Sequence, residues 1–339
     1  MSAEVLGTPA WLWLALLAIA MLVLAFDLGM PGRRGGEIGV RQGLAQAGAC
    51  FAAGLAFGAG LWWQLGAERG QQYLTAYLME KTLAMDDALA IAMVFTFLAV
   101  PRECQHRVLF WGIIVVVATR ALVIALGAAL VGQFDWVLYL FAAIVIATGL
   151  RMLLFVQVDF DVAKNPVLRW LRTRLRVTDA PHGERFWVRL PAPASRGGAP
   201  SAAGGVPRVW WATPSLLALV LVACAYLVSA MDSVPAILVI TQDPFIACAA
   251  GTFGILGLRA LYFALAALIH RFRPLKHALA LVLLFVGAKV LAVDLLGRLP
   301  AWASLAVTVG AVCGALSYSR YRAARRRAKP LPLGGQEAG

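Results

Sequence analysis

Charge is scarce in this chain, and acid is scarcer still. Only 14% of its 339 residues are charged, with 17 Asp and Glu against 30 Lys and Arg, while 61% are apolar and the mean hydropathy is +0.79. A soluble domain needs no such apolar excess to fill one core, so much of the surface must face lipid. Histidine and cysteine are sparse too. His106, His182, His270 and His277 form no group with Cys50, Cys104, Cys224, Cys248 and Cys313 at metal-ligand spacing, which leaves no cluster for zinc or copper. The cysteines read as buried small hydrophobes, and His106, in "PRECQHR", as an interfacial contact in a loop. Also missing are a nucleophile-elbow Ser, an HExxH pair, a Walker loop and a Rossmann glycine fingerprint. Enzymology is therefore disfavoured, no cofactor is implied, and transport or a structural membrane role remains.

What the chain has is long hydrophobic runs. A hydrocarbon core about 30 Å thick asks for about 20 apolar residues per helix. Roughly nine stretches meet or approach that length, at 10–29, 43–65, 80–99, 108–131, 136–156, 214–240, 245–268, 276–297 and 300–318. The expected fold class is an all-α polytopic transmembrane bundle. The first stretch has no basic residue before it and no small-residue cleavage site, so it reads as a retained span rather than a signal peptide.

The net charge of +13 sits in alternate loops, which speaks of topology and membrane lipid rather than nucleic acid. Arg33, Arg34 and Arg41 follow the first span, Arg102 and Arg107 the third, Arg271, Arg273 and Lys276 the seventh, and a basic run from Arg320 to Lys329 the last. The loops between carry one basic residue or none. The positive-inside rule then puts the N-terminus outside and the C-terminus in the cytoplasm of a cell (inner) membrane protein.

One hydrophilic segment, 157–213, divides the chain. It holds Arg169, Arg172, Arg174, Arg176, Arg185 and Arg189 and reads as a cytoplasmic basic linker with at most one short strand in "FWVRLPAP", the rest flexible. Its arginines suit either solvation or anionic lipid headgroups. The flanks of this linker resemble each other. Asp86, "TRALVIALGAAL" around Arg120 and Gly149 precede it; Asp232, "LRALYFALAALI" around Arg259 and Gly287 follow it, with Arg120 to Gly149 spanning 29 residues and Arg259 to Gly287 spanning 28. Duplication of a three-helix unit, an odd number, implies inverted repeats, with a site near the midplane where they meet. The expected organisation is two N-terminal spans (1–79), a first repeat (80–156), the linker (157–213), a second repeat (214–297), then the last span and a basic tail (298–339).

Acids inside a span cost about 2.5–3.5 kcal/mol each on insertion scales, so each needs a reason. Glu80, Asp86 and Asp87 lie in "MEKTLAMDDALAIA" and Asp232 in "SAMDSVPA", where Pro235 should interrupt the helix beside the carboxylate. Glu80 and Asp86, six apart, do not share a helix face, so Glu80 is expected at the outer mouth. Ser233 and Thr82 could add oxygen ligands, a set suited to Mn²⁺, Mg²⁺ or Ca²⁺. The alternative is ion pairing of these acids with Arg120, Arg259 and Lys289, which would hold helices together; for those three cations the structural role is the favoured one. Asp27 and Asp294, near span ends, should reach interfacial water. A desolvated carboxylate could also take up a proton and couple exchange to it.

At these residues the sequence resembles the TerC family of integral membrane proteins, from about Asp27 to Leu291. "YLMEKTLAMDDALAIAMVF", "VPRECQHRVLFWGI", "TRALVIALGAAL", "FDWVLYLFAAIVIATGLRML", "MDSVPAILVITQDPFIACAAGTFGILGLRALYF" and "FVGAKVL" carry the likeness. It implies a fold similar to LysE-type exporters and an association with tellurite resistance and manganese export. Glu80, Asp86, Asp232 and Ser233 match the family pattern. Asp87 stands where the family usually has Asn, while Ala223 and Tyr226 replace a Glu and an Asp. The leading expectation is a divalent cation exporter, Mn²⁺ first, with Asp86 and Asp232 as paired ligands, Asp87 third and Glu80 fourth. Competing with it are a transporter remade for another ion and a non-transporting scaffold that recruits stress-response partners.

Overall fold

The computed structural model describes residues 4–5, 8–29, 40–154, 166–175, 177–178, 185–191, 208–265, 273–293 and 300–328. They form α1 (Ala10–Gly29), α2 (Val40–Leu65), α3 (Ala67–Phe97), α4 (Arg102–Gln133), α5 (Trp136–Leu154), α6 (Pro166–Arg174), α7 (Pro214–Ile240), α8 (Pro244–Ile255), α9 (Leu258–Leu265), α10 (Arg273–Leu291) and α11 (Ala301–Ala328). Short strands are β1 (Glu4–Val5), β2 (Thr8–Pro9), β3 (Trp187–Pro191) and β4 (Arg208–Ala212). Among the described residues five segments are long and apolar enough to cross a bilayer: Arg41–Leu65, Cys104–Gln133, Trp136–Leu154, Pro214–Ile240 and Pro244–Phe263, the last joining α8 and α9. Ala10–Phe26, His277–Leu291 and Ala301–Ala315 are shorter apolar helices. The stretch expected at 80–99 lies in α3, which begins at Ala67, so the boundary drawn at residue 80 cuts through one helix. Leu14, Leu22, Trp63 and Leu122 are well exposed, as lipid-facing residues of a multi-pass membrane protein should be.

Three helix pairings organise the core. α3 runs parallel to α8 and α9: Arg69 Nε pairs with Asp243 at 3.4 Å, Thr241 donates to Gln72 at 2.8 Å, and Phe95 meets Tyr262 ring to ring at 5.5 Å. α7 runs parallel to α4. A Cβ on Gly112 would lie 3.3 Å from Val222 Cγ1, and one on Gly127 would lie 2.6 Å from Leu238 Cδ1. α5 and α10 run antiparallel, because Gly149 faces Ala280, Leu283 and Leu284 while Gly287 faces Ala142 and Ile146. Most of the α8–α9 segment is buried by these neighbours, whereas in each of the other four long spans fewer than half of the residues are fully buried.

The glycines of α2 take tyrosine rings. Gly54 and Gly58 lie against Tyr77 and Tyr73, whose hydroxyls donate to the carbonyls of Phe51 (3.0 Å) and Gly54 (3.1 Å), while Gly60 has open space beside it. Cys50 and Cys104 are buried as expected, and Cys224 and Cys248 are half-buried. Cys313, on α11, is exposed instead, since that helix buries only one side.

Two expectations need correction. Helix α7 continues through Pro235, and the break in a span falls at Leu256 and Gly257 between α8 and α9. Gly257 has φ +80, a left-handed conformation that glycine adopts without steric cost, and its Cα faces Cys50 so closely that a Cβ would lie 2.6 Å from the Cys50 Cβ. The basic segment also holds more regular structure than one short strand, and the Pro-, Ala- and Gly-rich stretch expected to be flexible, 192–207, lies outside the described residues. β3, the strand anticipated in "FWVRLPAP", pairs antiparallel with β4, and α6 precedes the hairpin. Leu168 and Leu171 of α6 are buried, Leu168 in one cluster with Val100, Cys104 and Leu217 at the adjoining end of the bundle. The short apolar run "RVWWA" lacks the polar–apolar alternation that would mark it as the partner strand.

Candidate functional site

The charged centre of the bundle is built around Arg120. Seven residues make almost two helical turns, so Glu80 and Asp87 share one face of α3. Arg120, from the middle of α4, reaches both: Nη1 donates to Glu80 Oε2, and Nη2 lies 3.9 Å from Asp87 Oδ2. Arg120 and Glu80 are buried to 3% and 1% exposure, so Glu80 belongs to the core and not to an outer mouth. The six-residue interval to Asp86 pointed the wrong way because the partner on Glu80's face is the other acid of the doublet. Tyr226 of α7 completes the surroundings, its hydroxyl within electrostatic reach of Asp87 and Arg120. Glu80 Oε1, Arg120 Nε, Tyr226 OH and Ser233 Oγ are buried with no hydrogen-bond partner among the described residues. Such atoms cost about 1–3 kcal/mol apiece unless something polar reaches them.

Asp232 is placed differently. Its Oδ1 accepts a hydrogen bond from Thr148 Oγ1 of α5 at 3.1 Å, and among the described residues no cation lies within ion-pair distance of it. Pro235 has no N–H to offer the Met231 carbonyl, so a backbone oxygen one residue before Asp232 lacks its usual helical donor. Asp86 occupies α3 next to Asp87, and its side chain lies outside the described residues.

The remaining candidates have other partners. Thr82 donates to its own helix, to Leu78 O at 2.9 Å. Arg259 of α9 donates to His106 Nε2, and Tyr262, one turn on, donates to Gln105 Oε1 at 3.0 Å. "PRECQHR" is thus mainly the first turns of α4 clamping α9, and His106 sits on a helix rather than in a loop. Lys289 donates to Ser304 of α11 at 3.1 Å. Of the three expected cations, Arg120 pairs with the described acids Glu80 and Asp87. His277 is exposed on α10; Asp294, His182 and His270, and the side chain of Asp27, lie outside the described residues. Among the described residues no group of three or more His, Cys, Asp or Glu could hold a metal ion.

One charged residue was not singled out from the sequence. Lys81 Nζ donates to the carbonyls of Phe253 (3.2 Å), Gly254 (3.1 Å) and Leu256 (2.5 Å), and lies 5.7 Å from the Tyr77 ring centroid. It caps the C-terminal end of α8 at the break, where three carbonyls have lost helical donors and the helix dipole is negative. Gly254 lets Glu80 approach, since a Cβ there would lie 2.6 Å from the Glu80 Cβ. The only hint in sequence was adjacency to an intramembrane acid, "EK". At the other end of α8, Asp243 caps the helix, accepting from Phe245 N (3.0 Å) and Ile246 N (3.4 Å).

Long apolar helices, a buried ion cluster between them and lipid-exposed leucines define a polytopic α-helical integral membrane protein. The sequence matches the integral membrane protein TerC family over residues 65–327, and the chain belongs to that family. It is 37% identical over 319 residues to a protein of Escherichia coli (strain K12), covering 91% of this chain and 92% of that one, whose name proposes a membrane-bound redox modulator, Alx. A protein from Shigella flexneri with the same name is equally similar, with 91% and 93% covered. An uncharacterized membrane protein of Myxococcus xanthus, STKORF319, is 35% identical over 304 residues, 90% of each chain. No solved structure matches.

Proposed function

We propose that this protein exports a divalent cation, Mn²⁺ first, across the cell (inner) membrane by alternating access between two inverted three-helix units. The observation that carries the reading is the different fate of the intramembrane acids. Arg120 engages Glu80 and Asp87, while among the described residues Asp232 keeps its carboxylate on a single hydroxyl donor, with oxygen ligands of the kind a hard cation takes nearby in sequence. Asp86, at the matching place in the first unit, is its proposed partner. A site of two carboxylates, Ser233 and backbone carbonyls would leave coordination places for water, as befits an ion that must be released.

The helix pairings support the inverted units. First and second helices cross-pair in parallel, α3 with α8–α9 and α7 with α4, whereas the third helices, α5 and α10, pair antiparallel. A two-fold axis in the membrane plane generates that combination. Nine spans, an outside N-terminus, a cytoplasmic C-terminus and a cytoplasmic insert complete the reading, together with transport rather than catalysis. Metal content across a panel of ions, in cells with and without the protein, tests it. Cells carrying Asp232→Ala should retain Mn²⁺ that wild-type cells expel, at equal amounts of inserted protein; equal metal content in both would end the reading.

The folded hairpin of β3 and β4 favours a second reading, a non-transporting scaffold that recruits stress-response partners. That protein would tolerate Asp232→Ala and lose its effect on removal of 165–208.

A further inference from the structure

We propose that the insert between α5 and α7 is a membrane-docking face whose occupant is the anionic phospholipid headgroup layer of the leaflet at that end of the bundle. The inference stands whether or not an ion is moved. β4 ends at Ala212 and α7 begins at Pro214, so strand and span are almost continuous. Thr213 between them is fully buried, and its hydroxyl donates to the carbonyls of Arg185 (2.8 Å) and Phe186 (3.1 Å). The hairpin is thereby fixed to the first turn of a membrane helix. Trp187 pairs with Ala212 in the ladder, two residues from that turn, which at about 3.3 Å per residue sets it within about 7 Å of the span along the chain. That is the depth of a headgroup layer.

The exposed residues suit that position. Trp187, Arg189 and Trp210 share one face of the hairpin; Trp187 and Trp210 are exposed to 44% and 55%, and the Arg189 guanidinium lies 4.5 Å from the Trp210 ring centroid. α6 buries Leu168 and Leu171 and leaves Arg169, Trp170 and Arg172 outward. Indole beside guanidinium is the interfacial combination, the ring reaching the acyl boundary and the cation reaching phosphate. The described residues of the insert include several Arg and no Asp or Glu. Three large indoles left open to bulk water would be an unfavourable surface for a soluble loop, whereas at a headgroup layer they are at home.

The test is hydrogen exchange on the full chain in nanodiscs of phosphatidylcholine alone or mixed with phosphatidylglycerol, read in peptides covering 166–175, 185–191 and 208–212. Exchange should slow several-fold in the anionic discs, and high salt should abolish the difference. Arg172→Gln with Arg189→Gln should remove the slowing while leaving α7 peptides unchanged, and native mass spectrometry should show retained phosphatidylglycerol fall by at least one molecule. Equal exchange in the two lipids would overturn the proposal. So would protection that appears only on adding a soluble protein fraction, which would make the face a protein-docking surface.

Discussion

Gly149 and Gly287 hold equivalent places on the two helices of one crossing. A Cβ on Gly149 would lie 3.0 Å from the Ala280 carbonyl oxygen, and one on Gly287 would lie 2.9 Å from that of Ala142. Ala280 stands seven residues before Gly287 and Ala142 seven before Gly149, so the contact is reciprocal. Each glycine lets the other helix's backbone come close.

Gly149→Ala and Gly287→Ala should therefore each lower the stability of the purified protein by about 1–3 kcal/mol, because the intruding methyl meets backbone rather than a yielding side chain. Gly60→Ala, with open space at its Cα, should cost nothing. Thermal unfolding in detergent compares the three; an unchanged Gly287→Ala midpoint would contradict the described crossing.

Arg120→Met alone should be strongly destabilising, by about 3–5 kcal/mol, since it leaves the buried Glu80 without its partner, and Glu80→Gln less so, because Arg120 keeps Asp87 at 3.9 Å. The double variant should recover much of the loss. A double-mutant cycle on detergent stability reads the coupling, and additive losses would mean that the ion pair does not form.

Asp87 and Tyr226 bear on the same guanidinium from α3 and α7. A carboxylate placed at either position would lie close to Arg120. Asp87→Asn should weaken the protein, and Asp87→Asn with Tyr226→Asp should restore it. Unfolding midpoints decide this; a double variant no better than the single would show that the two positions are independent.

Lys81→Met should loosen the α8–α9 break by exposing the Phe253, Gly254 and Leu256 carbonyls to an apolar neighbour. Hydrogen exchange in peptides covering 250–260 should rise several-fold, with little change in α5 and α10. Gly257→Ala should act in the same place, from φ strain and collision with Cys50 together.

The helices and their ends were largely legible because lipid demands length and apolarity, and α7 was placed residue for residue at 214–240. Asp86, Asp87, Glu80 and Arg120 were legible as cost: a charge inside a span announces itself. Pairing was not, because which acid Arg120 meets depends on how α3 and α4 are rotated against each other, and only the seven-residue interval from Glu80 to Asp87 hinted at it. Pro235 misled for a physical reason. One missing N–H leaves a helix intact when its neighbours hold it on all sides, and Val234, Ala236 and Ile237 are all buried. The true break was written in Gly257, one glycine among 32, and in Lys81, whose role appears only when α8 ends beside it.

The Glu80–Arg120 pair also constrains how the chain is made. With Glu80, Lys81, Asp86 and Asp87 inside eight residues, α3 is a poor passenger for any insertion machinery by itself, at about 2.5–3.5 kcal/mol for each charge left without a counterpart. Its neutralising arginine arrives on the next helix to be synthesised. Settling of α3 among its neighbours should therefore depend on α4, and a truncated chain ending before Arg120 should leave Glu80 without its counter-charge.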